Sequence, residues 1–219
     1  MQKNSFKKIS KLNLKKKNFS VFILLASLFL TGCSLAPIKS PPISAYQLDS
    51  RYATSPYIYR HQTQTTLLVS EPVADPGYQT DAMIYVMKPY QLRSFSYNRW
   101  VSPPSDMLMS VLSTRLRQMN YFKAVVAPPF GGATDYRLDT QLIAFQQEFL
   151  NPVSQFHIIL QATLIDNHNN KIMASRQFEK IIPAQSNDPY SGVLAANKAV
   201  DNLIDQIAQF CVQSSKRGH

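Results

Sequence analysis

Apolar positions along the chain fall into short alternating runs parted by polar or proline-bearing breaks, and two stretches switch to helical spacing. Tyr46-Gln47-Leu48 predicts a short strand, and Thr65 to Val73 (TTLLVSEPV), rich in β-branched and apolar residues, a buried one. Between them, residues 50–64 are polar and aromatic, with Tyr52, Tyr57 and Tyr59 around Pro56, and read as a loop or an irregular strand. Met83, Tyr85 and Met87 then alternate with Ile84 and Val86, which predicts a strand buried on both faces. Leu92, Ser94, Ser96 and Asn98 alternate with Arg93, Phe95, Tyr97 and Arg99, and a turn near Lys88-Pro89-Tyr90 joins the two runs into a hairpin ending at Trp100. Ser102-Pro103-Pro104-Ser105-Asp106 opens a helix, because proline is tolerated in a first turn. Its apolar stripe is Leu108, Leu112, Leu116 and Met119, and Arg115 and Arg117 stand near its C-terminal end, where cations suit the dipole.

A short strand at Phe122 to Val126 closes at Pro128-Pro129 and Gly131-Gly132. Tyr136, Leu138, Thr140, Leu142 and Ala144 mark a half-buried strand, and Phe156, Ile158, Leu160, Ala162 and Leu164 the next. The latter turns at Asp166-Asn167-His168-Asn169-Asn170, whose residues tolerate left-handed backbone, into Ile172, Ala174, Arg176 and Phe178. These three strands predict an antiparallel meander. Asp188-Pro189 opens a last helix with Val193, Ala196, Val200, Leu203, Ile204, Ile207 and Cys211 on one stripe. The fold class expected is α+β, a single domain in which a largely antiparallel sheet carries two long amphipathic helices on one face.

The N-terminus has a different pattern. Seven lysines and no acid occupy the first 18 residues, and an apolar run from Phe19 to Leu30 follows. The run is too short to span a bilayer, which takes about 20 apolar residues. A cationic segment, a short apolar core and small residues make a secretory signal. Its end, Leu30-Thr31-Gly32-Cys33, looks like the lipobox of bacterial lipoproteins, with cleavage between Gly32 and Cys33 and acylation of the Cys33 thiol. Two or more acyl chains hold a protein stably on a membrane without spanning it. Ser34 after the cysteine, where aspartate would resemble an inner-membrane retention signal, points to the outer membrane, facing the periplasm. Residues 1–32 are then the signal, 33–45 a lipidated proline-rich tether, 46–213 the folded domain and 214–219 a flexible tail.

Removing that signal takes away seven lysines and no acid, so the formal charge of +10 falls to +3 over the remaining 187 residues. The basic excess that would hint at nucleic acid leaves with the signal. Eleven Tyr and twelve Phe against six Gly favour a folded, sheet-rich body. With Cys33 acylated, Cys211 has no partner within the chain and sits on an apolar helical stripe, a core position.

Candidate chemistry is sparse. His61, His157, His168 and His219 show no metal-ligand spacing, and no cofactor or metal is expected. His157 lies opposite the apolar register of its strand and reads as solvated. Asp135 and Asp139 share a strand face with Arg137 between them, which suggests mutual neutralisation, and Asp201 and Asp205 lie on the polar side of the last helix as a solvated face. The pattern offers no nucleophile, base or metal for an enzyme. Candidates for partner docking are Arg99, Trp100 and the tyrosine-rich segment that begins at Tyr46. Trp100 reads either as a core anchor or as a contact, and the tyrosines as a docking surface or a packed strand edge.

The lipobox, the tether, the SAYQLDS strand, Tyr97-Asn98-Arg99-Trp100 and the helix with Leu108, Leu112 and Leu116 resemble the ABC-type transport auxiliary lipoproteins from about residue 33 to residue 211. Departures are the polar stretch from Ser50 to Gln64, and Val101-Ser102-Pro103 where an acidic residue usually follows the tryptophan. The resemblance implies a non-enzymatic outer-membrane partner of a system built from an MCE-domain periplasmic protein, an ABC permease and an ATPase. Such systems carry phospholipid or related lipids between the membranes, and the lipoprotein seats the periplasmic tunnel, as a ring of subunits. The other readings are a structural lipoprotein of an envelope machine, such as a secretion system or lipopolysaccharide assembly, and a lipoprotein hydrolase.

Overall fold

The computed structural model describes residues 40–49 and 57–216. The signal, Cys33 and residues 50–56 lie outside that range. The elements are β1 (Ser44–Tyr46), β2 (Thr66–Val69), β3 (Val73–Ala74), β4 (Ala82–Lys88), β5 (Gln91–Trp100), α1 (Pro104–Gln118), β6 (Ala124–Val126), β7 (Tyr136–Glu148), β8 (Gln155–Asp166), β9 (Lys171–Pro183) and α2 (Pro189–Ser215).

β7 is the axis of the sheet. One edge pairs antiparallel with β8, which pairs antiparallel with β9, giving the meander. The other edge is shared end to end by three short parallel strands: β2 beside Tyr136–Leu138, β3 beside Gln141–Leu142, and β4 beside Gln147–Glu148. The single strand expected from Thr65 to Val73 is therefore two. Pro72 lies between them, and proline has no N–H to give to a ladder. Pro76 then starts a 3₁₀ turn before the chain returns to the sheet as β4.

The β4–β5 hairpin forms as its alternation predicts, with Tyr90 in the turn at φ 66°. Its burial differs from expectation, since Met87 is exposed and only Met83 and Val86 of β4 are fully buried. β1 adds to β5 in parallel, Ser44 opposite Asn98 and Tyr46 opposite Trp100, and β6 adds to β2 in the same sense. Parallel pairings are thus confined to short strands, and the long ladders are antiparallel.

Both helices lie on one face. α2 crosses β8 and β9, and α1 covers β2, β3 and β6 and packs against α2. Pro104 occupies the first turn of α1 without a side-chain cap, whereas Asp188 caps α2 by accepting from the Ser191 N–H. Leu108, Leu112, Leu116 and Met119 of α1 meet Leu203, Ile204 and Ile207 of α2 and Leu138, Leu142 and Leu164 of the sheet in one core. Cys211 is buried there, as its stripe predicts, and burial pushes its thiol far up from the ordinary range.

A bulge between Leu142 and Ala144 changes which parity of β7 faces the helices. Beyond it Phe145 and Gln147 point into the core, while Gln146 and Glu148 join the open face with His157. One extra residue in a strand suffices for that exchange.

Candidate functional site

Of the three docking candidates, the fold leaves two at the surface. Trp100 is 1% exposed and its ring lies 5.4 Å from that of Phe145, so it closes the end of the sheet as a core anchor and presents nothing to a partner. Arg99, on the opposite strand face, is half exposed and reaches Asp81 at 3.6 Å. Tyr46 is half-buried. It donates from its hydroxyl to Asn98 Oδ1 at 3.3 Å, and its ring lies 6.0 Å from that of Tyr190.

Tyr46 stands in a groove of about 760 Å³ between β1 and the first half of α2. Ala45, Val101, Tyr190, Val193 and Leu194 form its apolar wall, and Asn197, Lys198 and Asp201 its polar rim. The walls are held by a few directional contacts. The Asp49 N–H donates to Asn197 Oδ1 at 2.9 Å, the Asn197 amide donates to the Val193 carbonyl at 3.0 Å, and the Val101 N–H donates to the Tyr46 carbonyl at 2.8 Å. The groove joins residues about 150 positions apart, so no local pattern announces it. Its one sequence signal is the tyrosine at position 46.

Below the rim lies a charge cluster absent from the sequence expectations. Arg115, on the core side of α1, is 1% exposed and its guanidinium donates to both Asp201 and Asp205 of α2. Asp201 and Asp205 were expected on a solvated face, and Arg115 at the C-terminal end of its helix; instead Arg115, beside the apolar stripe of α1, reaches across the seam between the helices to both acids. Burial raises the Asp205 carboxyl above the usual aspartate range, and the nearby Asp201 charge adds to this against the opposing pull of Arg115.

On the open face of the sheet, His157 is not solvated. Nδ1 meets Glu148 and Nε2 meets Glu179, each at 2.8 Å, so the ring bridges β7, β8 and β9. Burial works to raise the Glu148 carboxyl, but hydrogen bonds from Gln146, His157 and Gln155 outweigh it and hold the group below the usual glutamate range. Arg137 pairs with Asp139 at 3.0 Å, as expected, but Asp135 does not share it. Asp135 accepts instead from the side chain and N–H of Thr66 and from His168, with the Thr66 side chain the main reason its carboxyl lies low. Among the described residues no three His, Cys, Asp or Glu side chains group as a metal site.

The model of the ABC-type transport auxiliary lipoprotein component family matches residues 46–208. The chain belongs to that family. The match runs from the last residue of β1 into α2 and takes in the lining of the groove except Ala45. Among solved structures, this auxiliary lipoprotein is similar to a Xanthomonas campestris protein carrying the family label DUF330, with 18% identity, TM-score 0.68, 81% of this chain and 96% of that one covered. A second, an uncharacterized protein, has 17% identity and TM-score 0.62, covering 77% of this chain and 98% of that one. At such identities the likeness concerns the fold. Nothing among curated proteins matches the sequence significantly.

Proposed function

We propose that this auxiliary lipoprotein works by docking: anchored through Cys33 to the outer membrane, it binds an MCE-domain periplasmic protein of an ABC system that moves phospholipid or related lipids between the membranes. The observation that carries the reading is the family match across the domain that forms the groove. The side chains that raised the question of catalysis support a non-enzymatic role, because each is engaged in holding the fold together: His157 by two glutamates, Asp135 by Thr66, and Asp201 and Asp205 by Arg115. Tyr46 and Tyr190 supply the rigid amphipathic surface that interfaces favour, and Arg99 offers a separate contact on the other face of β5.

Contacts of this kind depend little on net charge. Binding should persist at physiological salt, which screens exposed charges beyond about 8 Å. Weak single contacts would gain from anchoring and from a ring of subunits, both of which raise effective concentration. Crosslinking in intact cells followed by mass spectrometry tests the reading. The expected product is a crosslink to an MCE-domain protein. Recovery of secretion-machine components alone, with an MCE protein expressed in the same cells, would replace this reading with that of a structural lipoprotein of an envelope machine.

A further inference from the structure

The β4–β5 hairpin stands out from the rest of the sheet. From Met87 to Ser94 all eight residues are exposed, on both faces of the ribbon. The apolar ones gather at the tip: Met87 is 55% exposed, Leu92 46%, and Tyr90 106%. Toward the base the apolar side chains become packed, Tyr85 and Phe95 meeting Phe149 ring to ring, while Ser94, Ser96, the Arg99–Asp81 pair and a 44% exposed Tyr97 remain at the surface. The stretch open on both faces is therefore the tip, and it carries Met87, Tyr90 and Leu92. The whole hairpin carries Lys88, Arg93 and Arg99 and no acidic residue. The neighbouring turn adds to the same end, because Phe149 donates to the Val86 carbonyl and brings exposed Leu150 alongside.

We propose that the hairpin tip inserts end-on into the headgroup region of an anionic lipid bilayer, the surface to which the protein is tethered. The proposal rests on the Cys33 anchor. Tyrosine is favoured at the membrane–water interface, and lysine and arginine beside it reach anionic headgroups while their stems stay apolar. The course of the chain fits. β1 runs parallel to β5, so the tether enters Ser44 from the side of the tip. Along β5 the tip lies about 23 Å beyond that point, seven residues at roughly 3.3 Å each. The stretch from Cys33 to Ser44 reaches at most about 40 Å, enough for anchor and tip to touch one bilayer. A protein partner would read one face of the ribbon, whereas a tip open on both faces suits a lipid interface.

The test uses the full chain, purified from cell membranes and placed in vesicles of phosphatidylethanolamine and phosphatidylglycerol with brominated acyl chains. Tyr90→Trp is the reporter, since Trp100 is buried and gives a constant background. Met87→Trp reads the other strand independently. Both emissions should shift to the blue and be quenched by bromine, more strongly than in phosphatidylcholine vesicles. Lys88→Glu with Arg93→Glu should reduce the anionic preference, each charge being worth about fivefold in partitioning. Vesicle flotation without quenching at either position, or crosslinking of position 90 to a protein or a second copy in its place, overturns the proposal and leaves the anchor standing. Failure to float, with Cys33 unmodified by mass, overturns both.

Discussion

Arg115 places a full positive charge between two helices, and its loss should be felt through the acids it leaves behind. Arg115→Met keeps most of the packing but strands Asp201 and Asp205. The expected loss is about 3 kcal/mol, the low end for a broken buried pair, because the Asp205 side chain is 33% exposed and partly solvated. Adding Asp201→Asn and Asp205→Asn should restore much of it, and urea melts of the single and triple variants measure the difference. Trp100 is a simpler case. Trp100→Ala should cost about 3–5 kcal/mol by opening a cavity beside Phe145, and a loss under about 1 kcal/mol would mean that the ring does not fill the core. At Cys33 the chemistry is covalent: Cys33→Ser should leave an unacylated, uncleaved precursor, and labelled palmitate in a normally sized product would contradict the anchor.

Elements meet most tightly where the start of α2 crosses the end of β7. A methyl on Gly192 would collide with the side-chain amide of Gln147. That amide cannot swing away freely, because it donates to Ser154 Oγ at 2.9 Å and to the Asp188 carbonyl at 3.1 Å within the core. Gly192→Ala, which would normally favour a helix, should instead destabilise by about 1–3 kcal/mol through overpacking. Gly192→Ala with Gln147→Ala should relieve the clash, and an unchanged thermal midpoint in the single variant would show that α2 shifts to make room. At the other edge of the meander, β9 carries an exposed Arg176 over the rings of Phe178 and Phe210. A charge on an edge strand discourages a further strand from pairing there.

For the molecule as a whole, pH response sums over several carboxylates. Asp135, Glu148 and Asp188 are all held low in the fold, Asp188 chiefly by hydrogen bonds from Ser186 and Ser191. A carboxyl whose folded value is depressed contributes stability above its unfolded value and loses it as pH falls through the folded one. Asp205, held high, works in the opposite sense. With three groups against one, the thermal midpoint should begin to fall below about pH 4.5, near the ordinary glutamate value. Asp188→Asn keeps one capping oxygen and removes a titrating group, so it should flatten this acid limb by lowering neutral-pH stability toward the acid value. A limb unaffected by Asp188→Asn would assign the acid response to other groups.

The sequence by itself determined whatever one element settles alone. The helical spacing of Val193, Ala196, Val200 and Leu203 gives α2; the parity of the runs around Asn167–Asn170 and Pro89–Tyr90 gives the meander and the hairpin; and Cys211 on its stripe is a core residue. These were legible because burial of one face imposes a period of 3.6 or 2 on the residues that bear it. Short parallel pairings and the bulge after Leu142 were decided by which strand came to lie along β7, whereas the division of residues 65–73 comes from Pro72, which has no N–H for a ladder. The site was less legible still. Only Tyr46 pointed to the groove; Tyr190, Val193 and Asn197 join it across the fold. Asp201 and Asp205 lie on a polar stripe that alone suggests solvent, and Arg115 stands among the apolar positions of α1. Two helices packed at that seam bring both acids to the guanidinium, and that distance exists only in the tertiary structure.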